Sequence, residues 1–284
     1  MLRLNKIDKK SGLTRESFEK DYLKPLKPVV FTDFMDSWPA KEKWTIDFFK
    51  KEYGHLMVPV YSANSSNPGR KYMAPDRHIP FREYLDILEK EPIDLRMFLY
   101  NIFRHAPELC NDYKKPTIMD GFIDSFPFMF FGGKNSAVAL HYDIDLSHVF
   151  LSQFHGRKRV VLFEPQQSRN IYQHPYTVAS YIDVNNPDYE QFPALRNATG
   201  YECMLHPGET LFMPSGYWHF IEYVDWGFSI SLRSNESYFR RAKGLMNIAR
   251  HYVVDKSMNR LMGSNWRKIK ADMAKKRAED GLLV

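Results

Sequence analysis

Three side chains, His141, Asp143 and His219, are of the types that hold a catalytic metal ion. Inside a strand, residues i and i+2 point to the same face, so the first imidazole and the carboxylate would converge on one ion. Two histidines and one carboxylate leave open coordination positions, and this facial arrangement is diagnostic of non-haem Fe(II) sites that use O₂. Hydrolytic zinc sites use the same ligand types and keep a bound water, so the ligand types alone leave zinc open.

The elements that must position these ligands are two strands and a pair of turns. His141 and Asp143 lie in AVALHYDID, which is predicted to form a strand. In the segment PGETLFMPSGYWH, Pro207–Glu209 predicts one turn, LFMP a short strand, and Pro214–Gly216 a second turn. The second turn would deliver His219 to the start of the next strand.

Residues from about 126 to 236 indicate a β-rich core. The predicted strands are FPFMFFGG, AVALHYDID, HVFLSQFHG, KRVVLFEP, GETLFMPSG, WHFIEYV and GFSISLRS. Several short strands at close, regular spacing are typical of an antiparallel sandwich or a closed barrel. Upstream, residues 14–56 are predicted to be mainly helical around the strand KPVVFTDF. The segment MVPVYSANSSNPGRKYM predicts a strand and a loop, IPFREYLDILEKE a helix, and LRMFLYNIF a strand.

Residues 237–284 are predicted to form basic helices. They hold 12 Lys and Arg against 4 Asp and Glu, a net charge of +8, whereas residues 1–236 carry a net charge of −2. Such a tail could meet RNA or an acidic protein surface, although a solvated helix face is the more common explanation. Apolar residues recur by three and four and would pack on the core or form a homodimer interface. They are Leu245, Ile248, Ala249, Tyr252, Val253, Leu261, Met262, Trp266, Ile269 and Met273.

The cysteine count and the hydropathy of the chain indicate a cytoplasmic protein that does not associate with membranes. Only two of the 284 residues are cysteines, Cys110 and Cys203, which excludes a disulfide framework and a Cys-rich zinc site. No stretch approaches the ~20 apolar residues that a membrane span needs. The first residues, MLRLNKIDKK, lack the apolar core of a signal peptide.

Taken together, the motifs resemble the JmjC, or cupin-like, class of Fe(II)- and 2-oxoglutarate-dependent oxygenases. The resemblance rests on LHYD, FHGRKRVVLFEP, NNPDYEQFP and LHPGETLFMPSGYWHFIE in this order, and on KPVVFTDFMDSWPAKEKWT upstream. It covers roughly residues 16–236 and is closest to hydroxylases of the type of factor inhibiting hypoxia-inducible factor and their bacterial relatives. It implies a mainly β fold with flanking helices: a double-stranded β-helix, or jelly-roll, domain over residues 1–236 and a helical extension over residues 237–284.

The resemblance implies His141, Asp143 and His219 as ligands of Fe(II), and Lys158 as the partner of the distal carboxylate of 2-oxoglutarate. A dicarboxylate bound to iron through its 2-oxo acid end leaves a second carboxylate, which needs a cation deep in the barrel. The alternative for Lys158 is an ordinary basic strand edge, GRKR.

The chain departs from the family pattern around the co-substrate. Val138 stands where many relatives carry Thr, Leu151 where some carry Asn, and Arg233 where Asn is common. Arg233 would clamp a carboxylate of the co-substrate or of an acidic substrate, or would face solvent. Tyr100 and Tyr142 are candidates for the substrate pocket, although a core aromatic is the more common explanation for Tyr100.

The expected activity is hydroxylation of a C–H bond, first of all in a protein or peptide side chain, with Fe(II), 2-oxoglutarate and O₂. Relatives also modify tRNA bases or demethylate lysine, so an RNA-modifying oxygenase, which would use the basic tail to meet an RNA or ribosomal target, is one alternative. A non-catalytic cupin-like protein that binds a small ligand or acts as a scaffold is the other.

Overall fold

Fourteen strands in the described part of the chain form the framework of the fold. The computed structural model describes residues 1–62, 74–98, 100–124 and 127–280. The strands are β1 (Arg3–Lys6), β2 (Asp8–Lys10), β3 (Val29–Phe31), β4 (Met57–Val60), β5 (Arg77–Pro80), β6 (Arg96–Met97), β7 (Phe128–Gly132), β8 (Ala137–His141), β9 (His148–His155), β10 (Lys158–Phe163), β11 (Thr199–Leu205), β12 (Thr210–Met213), β13 (Trp218–Tyr223) and β14 (Gly227–Ser234).

Two sheets built from these strands face each other. One has the order β1-β11-β10-β13-β8 and the other the order β2-β3-β12-β9-β14-β7-β6, while β4 and β5 form a separate pair. Neighbours in the centre of both sheets run antiparallel. From β7 to β14, successive strands alternate between the two sheets except at β10 and β11, which pair with each other. This is the double-stranded β-helix that the sequence predicts.

The central strands β9 and β10 are buried on both faces over most of their length, which explains their runs of apolar residues. On β9, Val149 and Leu151 point into the space between the sheets, and Phe150 points outward. On β10, Val160 likewise packs inside, whereas Val161 packs on the outer face. Because side chains alternate along a strand, each strand contributes to two clusters at once.

Helices of the first half cover the outer face of the seven-stranded sheet. Thr14 and Thr45 cap the starts of two of them by accepting hydrogen bonds from Ser17 N and Phe48 N. As the spacing predicts, the longest of them buries one face, formed by Phe81, Tyr84, Leu85 and Leu88. The helices are α1 (Arg15–Phe18), α2 (Ala40–Lys43), α3 (Ile46–Glu52) and α4 (Phe81–Lys90), and α1 continues into a π-helical turn over Glu19–Leu23.

The structure differs from the predicted elements in the strand LRMFLYNIF and in four strands that were not predicted, β1, β2, β5 and β11. The predicted strand LRMFLYNIF is only two residues long, β6, because Asn101 accepts a hydrogen bond from Phe103 N and starts a 3₁₀ turn over Ile102–Arg104. Strand β11 was not predicted, since its sequence TGYECML mixes Gly and Glu with apolar residues. The loop predicted after β4 falls mostly on residues 63–73, outside the described residues.

Three helices end the described chain, as predicted: α5 (Tyr238–Arg250), α6 (Lys256–Met262) and α7 (Ser264–Asp280), with a π-helical turn over His251–Asp255 after α5. Helix α7 returns to the outer face of the five-stranded sheet, where Ala274 and Ala278 join the apolar cluster. Trp266 and Lys270 lie on the same buried face, at intervals of four residues. The two small residues Ala274 and Ala278 therefore make the contact between α7 and the five-stranded sheet.

Most of the predicted apolar face of α5 and α6 remains at the surface. Leu245 is 67% exposed, Val253 is 70% exposed and Leu261 is 78% exposed. Trp266, which also belongs to the predicted apolar face, lies on α7 and is buried. A homodimer through the exposed part of this face stays a prediction.

Several basic side chains of α7 take part in its packing. The Arg267 guanidinium lies 4.3 Å from the centroid of the Tyr181 ring, and Lys275 Nζ lies 5.4 Å from the centroid of the Phe192 ring. Such contacts attach cations to aromatic faces and bury their aliphatic stems. Within the described ranges, no helix combines the length and the apolar character that crossing a membrane requires.

Candidate metal centre

His141, Asp143 and His219 come together beside the space between the sheets. His141 ends β8 and lies directly opposite His219 on β13. The centroids of the two rings are 4.2 Å apart. One ligand atom from each of the three residues lies within 4.8 Å of the others. Small side-chain rotations would let all three reach one ion at bond lengths of about 2 Å.

Asp143 reaches the site from a turn, and its predicted position inside a strand is wrong. The strand ends at His141, and Leu146 N donates to Asp143 O at 3.0 Å, which closes a turn. We call residues 143–147 the ligand turn. The predicted position of His219 near the start of a strand is confirmed, because β13 begins at Trp218. The predicted turn before it is closed by a hydrogen bond from Tyr217 N to Pro214 O.

Both imidazoles are oriented for coordination through Nε2. Nδ1 of His141 lies 2.8 Å from Ala139 O, and Nδ1 of His219 lies 3.2 Å from Tyr217 O. A carbonyl oxygen only accepts hydrogen bonds, so each Nδ1 carries a proton, and Nε2 is the nitrogen of each ring that can bind an ion. Burial, followed by the neighbouring His141, lowers the pKa of His219 to about 4. His219 is therefore neutral, as a ligand must be, at pH 7.

Arg233 holds the carboxylate of Asp143. Its Nη2 donates to Asp143 Oδ1 at 2.9 Å, while its Nη1 donates to Asp145 Oδ1 at 3.2 Å and to Ser147 Oγ at 3.0 Å. Burial alone would raise the pKa of Asp143, but the charge of Arg233 and its hydrogen bond outweigh burial and keep that pKa well below its ordinary value. Asp143 is thus ionised, with one oxygen fixed and the other available to an ion.

The guanidinium of Arg233 faces the ligand turn, and its side chain is only 14% exposed. The alternative that it faces solvent is therefore wrong. A contact of Arg233 with a carboxylate of the co-substrate or of a substrate stays a prediction.

The two turns that carry the ligands are hydrogen-bonded to each other. Ser215 Oγ donates to Leu146 O at 2.6 Å, and Ser215 N donates to His148 Nδ1 at 3.1 Å. His148 is fully buried, and Asn235 Nδ2 donates to Leu146 O as well, at 3.4 Å. These contacts were not predicted, because the residues Pro214–Gly216 indicate a turn but do not indicate which segment the turn contacts.

Lys158 is a buried cation without a partner carboxylate among the described residues. Its residue exposure is 1%, and its Nζ donates to Ser229 Oγ and lies 4.4 Å from the centroid of the Tyr223 ring. Burial lowers the pKa of Lys158 to about 7. Because a buried ammonium group is costly unless it meets an anion, this environment fits a ligand carboxylate and not the surface position of a basic strand edge.

A polar row on β14 connects Lys158 with the metal ligands. Ser229, Ser231 and Arg233 alternate along the strand and so share one face. Ser229 contacts Lys158, and Arg233 contacts Asp143. Between them, Ser231 Oγ is buried and has no hydrogen-bond partner in the described part of the chain. Buried hydroxyl groups are normally paired, so the row fits a polar ligand that extends from the metal toward Lys158.

The two predicted pocket aromatics lie elsewhere. The ring of Tyr142 packs edge-on against Trp218, 4.9 Å between centroids, in the cluster on the outer face of the five-stranded sheet. The ring of Tyr100 stacks on His105 at 5.4 Å and packs against the cluster beneath the N-terminal helices. The structure does not bring either ring onto the face that carries the triad.

A double-stranded β-helix with a His-x-Asp and distant His triad defines the class of metal-dependent cupin-like proteins. The pattern of the family described as cupin-like domain matches residues 15–243, which is more than half of the chain. The chain therefore belongs to the cupin-like domain family, as the resemblance predicts.

Relatives of the chain include proteins named as demethylases, hydroxylases and tRNA-modifying enzymes. Lysine-specific demethylase 8 of Xenopus tropicalis is 29% identical over 76% of this chain and 50% of that protein. The tRNA wybutosine-synthesizing protein 5 of Gallus gallus is 27% identical over 78% of this chain and 74% of that protein. The bifunctional arginine demethylase and lysyl-hydroxylase psr-1 of Caenorhabditis elegans is 24% identical over 86% of this chain and 66% of that protein.

The chain spans about half the length of the demethylase relatives. These similarities support its membership of the JmjC class of Fe(II)- and 2-oxoglutarate-dependent oxygenases. A particular likeness to factor inhibiting hypoxia-inducible factor stays a prediction.

Replacing Arg233 by Lys is expected to weaken metal binding about tenfold, the lower end of what loss of a contact to a ligand costs. Lysine keeps the charge but cannot hold Asp143 and Asp145 in one planar fork. The matched control is Arg157→Lys, which alters an Arg–Asp pair at the surface. Calorimetric titration with Mn(II) measures both variants, and equal affinity of Arg233→Lys and wild type would contradict the assigned role.

Proposed function

We propose that this protein is an Fe(II)- and 2-oxoglutarate-dependent oxygenase that hydroxylates a C–H bond of a protein side chain. The observation that carries the proposal is the triad: two imidazoles whose Nδ1 atoms contact backbone carbonyls, and one ionised carboxylate, with one ligand atom of each residue within 4.8 Å of the others. Three protein ligands leave the remaining positions of an octahedral ion to a co-substrate and O₂.

Each residue of the site has a separate task in this proposal. His141 and His219 would hold the ion through Nε2, and Asp143 through the oxygen that Arg233 leaves available. When bound, the metal and 2-oxoglutarate supply the oxidising chemistry. Lys158 would pair with the distal carboxylate. The apolar interior between the sheets excludes water around these groups, which strengthens their electrostatic interactions.

The charges of the site support an anionic co-substrate. A divalent ion with two neutral imidazoles and one carboxylate keeps a net charge of about +1. Arg233 compensates the negative charge of Asp145, and the ammonium group of Lys158 lacks a partner carboxylate among the described residues. A dicarboxylate would therefore meet positive charge at both of its ends.

The packing of α7 supports a protein substrate over RNA. Arg267 and Lys275 of the basic tail lie over aromatic rings, and Lys270 is buried against Asp255. Cations that are engaged within the protein are less available to the phosphates of a nucleic acid. Nucleic-acid binding depends on many contacts between Lys or Arg side chains and phosphates. Modification of tRNA and a non-catalytic role remain outcomes of the test.

We expect the purified protein to convert 2-oxoglutarate to succinate in the presence of Fe(II), ascorbate, O₂ and a peptide pool. His141→Ala removes a ligand and should abolish this turnover, while His206→Ala, at an exposed histidine outside the triad, should preserve it. Mass spectrometry of the peptides should show added oxygen. A tRNA pool that is modified while peptides are not would favour the RNA-modifying alternative, and no succinate with either pool would refute an oxygenase.

Affinity for 2-oxoglutarate is expected to fall as the pH rises from 7 to 8.5. The pKa of Lys158 is lowered to about 7 in the free protein, and a carboxylate partner raises the pKa of a lysine. Binding then takes up a proton above pH 7, and the affinity falls by at most about tenfold per pH unit.

Titration calorimetry of the Mn(II)-loaded protein in two buffers of different ionisation enthalpy measures the affinity and the proton uptake together. Lys158→Arg is the matched variant, because arginine stays protonated and should remove the pH dependence. A wild-type affinity that is constant over this range would show that Lys158 does not pair with the ligand.

A further inference from the structure

Helix α5 lies directly against the backbone of the ligand turn. A Cβ atom added to Gly244 would lie 2.5 Å from Asp145 O and 2.8 Å from Asp145 C. No side chain larger than hydrogen fits there without a shift of the backbone. Glycine in the middle of a helix is unfavourable by itself, so the close contact is what explains glycine at this position.

Other contacts attach α5 to the same region. Arg241 Nε donates to Asn235 O at 2.8 Å, directly after β14. Asn247 Nδ2 donates to Ile144 O of the ligand turn at 3.5 Å. The helix is therefore fixed to the ligand turn at one end and to the strand that carries Arg233 at the other.

Two residues, Asp145 and Arg233, connect Gly244 with the candidate ligand Asp143. Asp145 shares the guanidinium of Arg233 with Asp143. A displacement of the Asp145 backbone would move its carboxylate, release one side of Arg233 and so change the orientation of Asp143. Ligand orientation of this kind commonly controls metal affinity.

We propose that α5 is a structural part of the metal centre and that Gly244 is a positioning residue for Asp143, acting through Asp145 and Arg233. The proposal rests on the proposed function, because it assumes that the triad binds an ion. The first C-terminal helix then belongs functionally with the β-helix, although the sequence suggests a separate extension.

Gly244→Ala is the direct test, because alanine should stabilise the helix itself and still weaken metal binding. We expect the affinity for Mn(II), measured by calorimetry on the full chain, to fall about tenfold. The absorption spectrum of bound Co(II) should change, since the orientation of Asp143 alters the coordination geometry. Met246→Ala, on the exposed side of the same helix, is the control and should leave both readouts at wild-type values.

Asn247→Ala is a second variant that introduces no steric conflict, so it keeps the test valid if Gly244→Ala folds poorly. It removes one hydrogen bond to the ligand turn and should weaken Mn(II) binding roughly two- to tenfold. Wild-type affinity and an unchanged Co(II) spectrum in both variants would overturn the role of α5 alone. A wild-type protein that binds neither ion would overturn the proposed function, and this inference with it.

Discussion

A carboxylate in a protein interior keeps its charge only if a cation compensates for the loss of water, and Arg233 does this for Asp143. Arg233 also contacts other residues of the ligand turn. Because the guanidinium also holds Asp145 and Ser147, it makes the ligand turn one connected unit. Ser215 then ties this unit to the turn before His219. The position of Asp143 and that of the turn before His219 thus depend on one hydrogen-bonded network.

The interior beyond this network contains the buried polar groups that support the proposed anionic co-substrate. Among the described residues, Lys158 has no partner carboxylate and the buried Ser231 hydroxyl group has no hydrogen-bond partner. A fold that only needed stability would gain from apolar residues at these positions. Their presence supports the proposed binding of 2-oxoglutarate, whose distal carboxylate would pair with Lys158.

Local patterns in the sequence predicted the core strands and the candidate triad residues, and the family resemblance implied the double-stranded β-helix. The seven predicted core strands are all present, because alternation and turn residues are local signals. The position of Asp143 in a turn could not be predicted from the H-x-D motif alone. Both a continuous strand and a strand followed by a turn let the His and Asp side chains approach one ion. Arg233, Ser215 and Gly244 act through partners that are distant along the chain, and no local pattern encodes such pairings.

The packing of the C-terminal helices could not be predicted from local sequence patterns either. Their helical period was clear, but the packed face of α7 uses Ala274 and Ala278, which carry little hydropathy. The larger apolar residues that dominate the pattern, such as Leu245 and Leu261, are exposed. Which face of a helix packs depends on the space the neighbouring sheet offers, and that space is known only from the structure.

Anomalous diffraction from crystals grown with Mn(II) and 2-oxoglutarate without O₂ tests the central claim most directly. The account predicts one manganese peak at about 2.2 Å from His141 Nε2, His219 Nε2 and an oxygen of Asp143, with the distal carboxylate of the ligand at Lys158. A peak elsewhere, an ion whose remaining positions are filled by protein atoms, or a ligand that does not reach Lys158 would contradict it.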